Sequence, residues 1–309
     1  MMGWLFGVAL GFFLGSSPSL AALKYHRCGE EVALSKVPQR IVTIDINNTE
    51  LVLTLGLHPS IVGVSGFQSK DEVREELRPL LKNIPILAHQ YPGLETILAV
   101  NPDFVVAGWN YGFSTSRGIY PKKLKSFGVE SYAIRESCIR VGQKNKATLD
   151  DVYTDIRALA KAFDIPGKGD QLIASLRQTL QKIKPLNKPA PRIFLFDSGE
   201  KTPFTAGGYA IPHAMIQQAG GHNIFGHLNS SWVTTSWEHV LLENPQYIIV
   251  VNYGGHDGHR KTDFLKSHPV LKNLEAVQQD RLLILPYAAV TPGIRNAEAT
   301  LAIHQFIRR

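Results

Sequence analysis

The chain has 309 residues, 44% of them apolar and 19% charged, with a formal net charge of +7. That length and apolar content can build two domains with proper cores. The positive charge would suit an anionic ligand or surface, but Lys and Arg are dispersed without a basic run carrying interleaved aromatics, which argues against nucleic-acid binding.

The N-terminal run from Met1 to Gly15 is apolar and leads into Ser16-Ser17-Pro18-Ser19-Leu20-Ala21. It is shorter than the ~20 apolar residues of a membrane span and is broken by glycines. Residues 1–21 are therefore expected to be a signal peptide cleaved near Ala21, with Ser19 and Ala21 as the small residues before the cut. The Lys or Arg usual at the front of such a leader is missing. Cys28 follows Tyr25-His26-Arg27, which is not a lipidation box, so a free periplasmic protein is expected. An exported chain with two cysteines, Cys28 and Cys138, suits either a disulfide or a pair of buried thiols.

Past residue 22, short β-branched runs alternate with helical patterns. Strands are predicted at 40–46, 61–65, 103–107 and 129–134, and again at 192–197, 247–252 and 281–286. Helices are predicted at 48–56, 94–100 and 121–127, then at 211–219, 237–243 and 296–307. Between the two sets, Thr148 caps a helix with Val152, Ile156, Leu159 and Phe163 on one side, stopped by Pro166-Gly167. A second amphipathic helix is predicted from about Asp170 to Lys184. The expected fold is α/β: two Rossmann-like lobes with parallel sheets, at 22–147 and 191–309, bridged by a long helix within 148–190, with a ligand cleft between the lobes.

Residues 95–106 recur without a gap at 238–249. Each copy reads as a short helix, an Asn-Pro breaker (Asn101-Pro102, Asn244-Pro245) and a buried strand. A unit repeated once points to two similar lobes, since a solenoid needs at least three stacked repeats. Glu95 and Glu238 occupy the same place in the first turn of the two helices. A carboxylate there stabilises a helix N-terminus, and the shared register also points to a symmetric docking role.

In open parallel sheets the crevice lies beyond the C-terminal strand ends. Those ends read Asp45-Ile46-Asn47-Asn48, Gly66-Phe67-Gln68 and Gly108-Trp109-Asn110-Tyr111 in the first lobe. In the second they read Asp197-Ser198, Tyr253-Gly254-Gly255 and Tyr287, with Phe204, Trp232 and Arg295 nearby. Trp109, Tyr111, Phe204, Trp232 and Tyr287 are expected to wall a large rigid ligand. Arg295, with Arg260 or Arg135, would neutralise its anionic oxygens. His256-Asp257-Gly258-His259 would be a solvated loop, or a metal site through His256 and His259. Zincin, nucleophile-elbow and phosphate-loop motifs are absent from the sequence, and Ser198-Gly199-Glu200-Lys201 follows a strand where a Ser-x-x-Lys nucleophile would open a helix.

Taken in order, Thr49-Glu50-Leu51, Leu94-Glu95, Asn101-Pro102-Asp103, Pro203-Phe204-Thr205-Ala206-Gly207, Ala219-Gly220-Gly221-His222-Asn223 and Trp237-Glu238-His239-Val240-Leu241 carry a family resemblance. The chain resembles the substrate-binding proteins of cobalamin, ferric-siderophore and haem ABC importers, the helical-backbone class, over nearly all of its mature length. The resemblance implies that Glu95 and Glu238 dock on arginines of the two permease subunits, and that Phe204 and Trp232 fall where the cobalamin-binding member packs its corrin ring. Gly108-Trp-Asn-Tyr-Gly-Phe, Glu136-Ser-Cys-Ile-Arg-Val-Gly and Thr291-Pro-Gly-Ile-Arg-Asn are similar to a subgroup assigned to import of a deazaflavin coenzyme precursor. Cys28 and Cys138 match positions that co-occur there, which implies a disulfide.

The resulting expectation is a monomeric periplasmic binder of a small-molecule metal chelate, a ferric siderophore, serving an ABC permease dimer and carrying no cofactor. Cobalamin, haem and the deazaflavin precursor are the other ligands it would suit. An exported metal-dependent enzyme or chelatase using the same cleft and the His256/His259 pair is the reading of a different class.

Overall fold

The computed structural model describes residues 23–142 and 146–308, so the leader expected at 1–21 lies outside the described residues. The described chain opens on an antiparallel hairpin, β1 (Leu23–Arg27) and β2 (Glu30–Leu34). Tyr25, Arg27, Val32 and Leu34 point inward while charged neighbours face out, an alternation that a search for β-branched runs misses. A parallel sheet follows, made from β3 (Ile41–Ile44), β4 (Ile61–Ser65), β5 (Ile86–Ala88), β6 (Phe104–Trp109), the two-residue β7 (Gly112–Phe113) and β8 (Glu130–Ala133). Its order is β5-β4-β3-β6, with β8 on the far side of β6 and β7 against the last residues of β6. Helices α1 (Ile46–Thr54), α2 (Leu94–Leu98) and α3 (Pro121–Lys125) connect these strands.

Two helices come next, α4 (Leu149–Ala162) and α5 (Pro166–Leu180). Thr148 and Asp151 form the capping box of α4. Pro166, predicted to stop that helix, instead occupies the first turn of the next, where its missing N–H would be unpaired in any case. The second helix consequently starts and ends about four residues earlier than its apolar pattern indicates. Gly169 allows α4 and α5 to approach closely, because a side chain there would stand 2.7 Å from the Ala160 Cβ.

The second half continues with β9 (Arg192–Phe196), β10 (Phe204–Ala206), α6 (Ile211–Gln218), β11 (His222–Asn223), β12 (Trp232–Thr234), α7 (Trp237–Glu243) and β13 (Tyr247–Asn252). It ends with α8 (Asp257–Ser267), α9 (Glu275–Gln278), β14 (Leu282–Pro286), α10 (Tyr287–Val290) and α11 (Asn296–Ile307). Its parallel sheet has the order β11-β9-β13-β14, and β10 pairs with β12 as a separate antiparallel ribbon. The chain is thus α/β with two parallel sheets. On one side, α4 packs on β1, while α5 lies against both α4 and α11 and so ties the second half of the chain to the first.

The central strands β3, β6, β9 and β13 are almost wholly buried, as expected for parallel strands covered on both faces. The repeated unit ends its two helices alike: Asn101 and Asn244 take φ of 45° and 39°. Asparagine tolerates this left-handed state, and the proline that follows disfavours a further helical residue before it. One expectation is corrected here. His256–His259 is not a free loop but the opening of α8, with Asp257 in its first turn pairing Arg260 and Lys261. Those i+3 and i+4 partners, and an acidic residue at the positive helix end, favour the helix despite Gly258.

Candidate functional site

Residues just beyond β4, β6, β9, β13 and β14 face one another across a cleft between the two halves of the chain. The cleft has a larger compartment of about 790 Å³, lined among others by Gln68, Glu72, Tyr91, Tyr253, Tyr287 and Arg295. A smaller one of about 280 Å³ adjoins it and shares Tyr91, Tyr253 and Tyr287. All five predicted wall residues, Trp109, Tyr111, Phe204, Trp232 and Tyr287, line this smaller compartment.

Its walls are built by local geometry. Phe204 and Trp232 stand on the β10–β12 ribbon and stack with ring centroids 5.8 Å apart. Tyr111 sits in the tight turn between β6 and β7, where Gly112 takes φ of 110° and a side chain would strike Ile44. Tyr287 opens α10 and stacks on Tyr253 at 4.8 Å. Across the cleft, Trp232 Nε1 donates to the Tyr111 hydroxyl at 2.8 Å.

Buried carboxyls stand behind the aromatic groups, and three of them were not among the predicted site residues. Asp45 follows β3 with φ of 82° and is fully buried. Its Oδ1 accepts from the Ile46 N–H, while its Oδ2 accepts from Tyr91 at 2.6 Å and from Tyr287 at 2.9 Å. A non-glycine residue held at this backbone angle is strained, and such strain concentrates at functional sites. Asp197 occupies the matching place after β9 and accepts from Tyr253 and Ser198. Burial raises the carboxyl pKa of both aspartates. Glu136 also lines the smaller compartment; burial pushes its pKa up to about 8, against the hydrogen bond its Oε2 receives from Tyr111 at 3.0 Å. Asp45 and Asp197 carry a sequence signal, since each directly follows the first strand of its sheet. Glu136 opens the Glu136-Ser-Cys-Ile-Arg-Val-Gly motif and sits in a 3-10 segment, but nothing local marks it as a wall of the cleft, and Tyr91 lies in an irregular segment and carries no signal.

The predicted cations lie elsewhere or are already paired. Arg295 lines the larger compartment, but its guanidinium makes a two-point pair with Glu50 and donates to the Glu72 carbonyl at 2.9 Å. Arg260 is exposed on α8, bonded to Glu200 and Asp257, and lines neither compartment. Arg135 bonds Asp151 on α4 at 2.7 Å and is likewise outside both. His256 and His259 are exposed at the start of α8 and line neither compartment. Among the described residues, no group of three or more His, Cys, Asp or Glu side chains could hold a metal ion. Glu95 and Glu238 are exposed in the first turns of α2 and α7. Cys28 and Cys138 form a disulfide.

Two α/β sheets enclosing an aromatic cleft at their strand ends define a two-lobe solute-binding protein. The family described as periplasmic binding protein matches residues 41–289, and the chain belongs to that family, which places it in the periplasm. It is 23% identical over 236 residues to the vitamin B12-binding protein of Vibrio campbellii, covering 76% of this chain and 78% of that one. Among solved structures, a periplasmic binding protein from Veillonella parvula superposes with a TM-score of 0.81 at 26% identity, covering 93% of this chain and 98% of that one. An ABC-type Fe3+-hydroxamate transport system protein from Saccharomonospora viridis also gives 0.81, at 21% identity and 93% and 99% coverage.

Proposed function

We propose that the chain, exported and cleaved near Ala21, captures a metal chelate, a ferric siderophore, between lobes at 22–147 and 191–309 and delivers it as a monomer to an ABC permease dimer without chemical turnover. The observation that carries this reading is the meeting of Trp109, Tyr111, Phe204, Trp232 and Tyr287, from both halves of the chain, around one compartment. Flat apolar faces with hydroxyl edges suit a bulky ligand that offers both apolar surface and oxygen atoms. The relative whose name includes Fe3+-hydroxamate transport supports this ligand class. Glu95 and Glu238 are the proposed contacts to the two permease subunits.

Cobalamin is the second reading, favoured by the stacked Phe204–Trp232 pair and by the vitamin B12-binding relative. Tryptophan-fluorescence titration of the mature protein against ferric hydroxamate, catecholate and citrate chelates, cobalamin, haem and a deazaflavin precursor separates these. Saturable quenching by a ferric chelate, and not by free iron, is the expected result. Metal-dependent turnover abolished by His256→Ala would overturn the binder in favour of an enzyme.

A further inference from the structure

Glu136 stands in the 3-10 segment Arg135–Val141 and lines the smaller compartment while only 6% exposed. Among the described residues it forms no ion pair, and its Oε1 is buried without a hydrogen-bond partner. A buried carboxylate without a cation is strongly disfavoured, whereas a buried neutral acid needs only hydrogen bonds. The bonds present fix where the proton goes. Trp232 donates to Tyr111, and Tyr111 donates to Oε2, so the carboxyl's own hydrogen resides on Oε1. The result is an unused O–H donor on a side chain that lines the aromatic end of the cleft.

We propose that Glu136 is a specificity-determining residue that, as the neutral acid, donates a hydrogen bond from Oε1 to an uncharged acceptor oxygen of the ligand, a carbonyl or hydroxyl. This inference rests on the binder reading above and names the ligand chemistry that the smaller compartment selects. Arg140 and Asp197 both line this compartment, but an anionic oxygen placed at Glu136 itself would compete with the proton of that carboxyl. The surrounding charges are mixed: Arg140 on the same segment lowers the Glu136 pKa, while Asp151 and Asp155 of α4 raise it. Tyr111, Trp232 and Phe204, from the β6–β7 turn and the β10–β12 ribbon, bring no cation to it. Burial outweighs Arg140 and keeps the acid form across neutral pH.

The test has a ligand-free arm and a ligand arm. In the ligand-free protein, ionisation of Glu136 is transmitted through Tyr111 to the Trp232 indole, so tryptophan fluorescence should titrate with a midpoint near 8. That transition should be absent from Glu136→Gln. Its absence from wild type, or its persistence in Glu136→Gln, overturns the proposal whether or not any chelate binds. In the ligand arm, whichever of a ferric trihydroxamate or cobalamin quenches the wild type is titrated at rising pH. Affinity should be flat below about 8 and weaken by up to about tenfold per pH unit above it, as the donor proton is lost. Glu136→Ala should lose about tenfold, the worth of one hydrogen bond. Glu136→Gln, which keeps an N–H donor, should restore most of that affinity and remove the pH dependence. Binding equally tight in Glu136→Ala, or strengthening as pH rises, would overturn it.

Discussion

Trp232 Nε1 lies 2.8 Å from the Tyr111 hydroxyl, a hydrogen bond between residues 121 apart in sequence and on opposite walls of the cleft. A second cross-cleft bond, from Tyr287 to Asp45 at 2.9 Å, joins residues 242 apart. Together they hold the aromatic wall as one surface. Trp232→Phe keeps a ring and removes the donor, so denaturant unfolding should show a loss of about 1 kcal/mol. Trp232→Ala removes the ring as well and should weaken chelate binding by at least about tenfold. Wild-type affinity in Trp232→Ala would remove Trp232 from the ligand wall.

Arg295 and Glu50 make a buried pair, with Glu50 fully inaccessible and Arg295 14% exposed at its side chain. Replacing one partner leaves the other charge buried and uncompensated. Arg295→Met should therefore destabilise the protein by about 3–5 kcal/mol, measured by urea unfolding. A variant within about 1 kcal/mol of wild type that fails to bind anionic chelates would instead make Arg295 a ligand contact.

Glu95 and Glu238 are exposed, in register, and outside both compartments of the cleft. Charge reversal at both positions should abolish uptake in whole cells while leaving the ligand Kd of the purified protein within about twofold. A large loss of affinity would tie these carboxylates to the ligand site.

Two buried acids set a pH dependence. Burial raises Asp155 to about 7, opposed by hydrogen bonds from Tyr132 and the Arg135 N–H, and raises Glu136 to about 8. Because the folded state holds these protons more tightly than the unfolded chain, their contribution is largest below about pH 4 and is lost as pH rises towards 7 to 8. Unfolding free energy should fall across that window by on the order of a few kcal/mol, and Asp155→Asn should flatten the slope. Stability that rises between about pH 5 and about pH 8 in the wild type would contradict it.

The Cys28–Cys138 bond closes a span of 110 residues and fixes the 3-10 segment that carries Glu136 to the N-terminal hairpin. Replacing both cysteines with serine should cost about 2–5 kcal/mol. Reduction should produce a similar loss in wild type and none in the double variant. Equal thermal stability with and without reductant would show that the bond contributes little.

Much of this molecule was legible in the linear chain because its signals are local. Buried β-branched runs mark parallel strands such as β3 and β13, and the Asn-Pro breakers mark the ends of α2 and α7 within three residues. Trp109, Tyr111, Phe204, Trp232 and Tyr287 could be picked because each lies at or near a strand end, where an α/β crevice must open. Pro166 misled, since proline stops one helix and begins another with the same fixed φ.

Only the tertiary structure decided which charges were available. Arg295 reads as a free cation until folding brings Glu50, 245 residues earlier, against it. Asp45, Asp197 and Glu136 read as ordinary carboxylates until burial removes their water and raises their pKa values. Periodicity and breaker residues act through neighbours along the chain, so the sequence by itself determined the elements and their alternation. Desolvation and charge pairing act between segments hundreds of residues apart, so the chemistry of the cleft was settled only when the two sheets closed on each other.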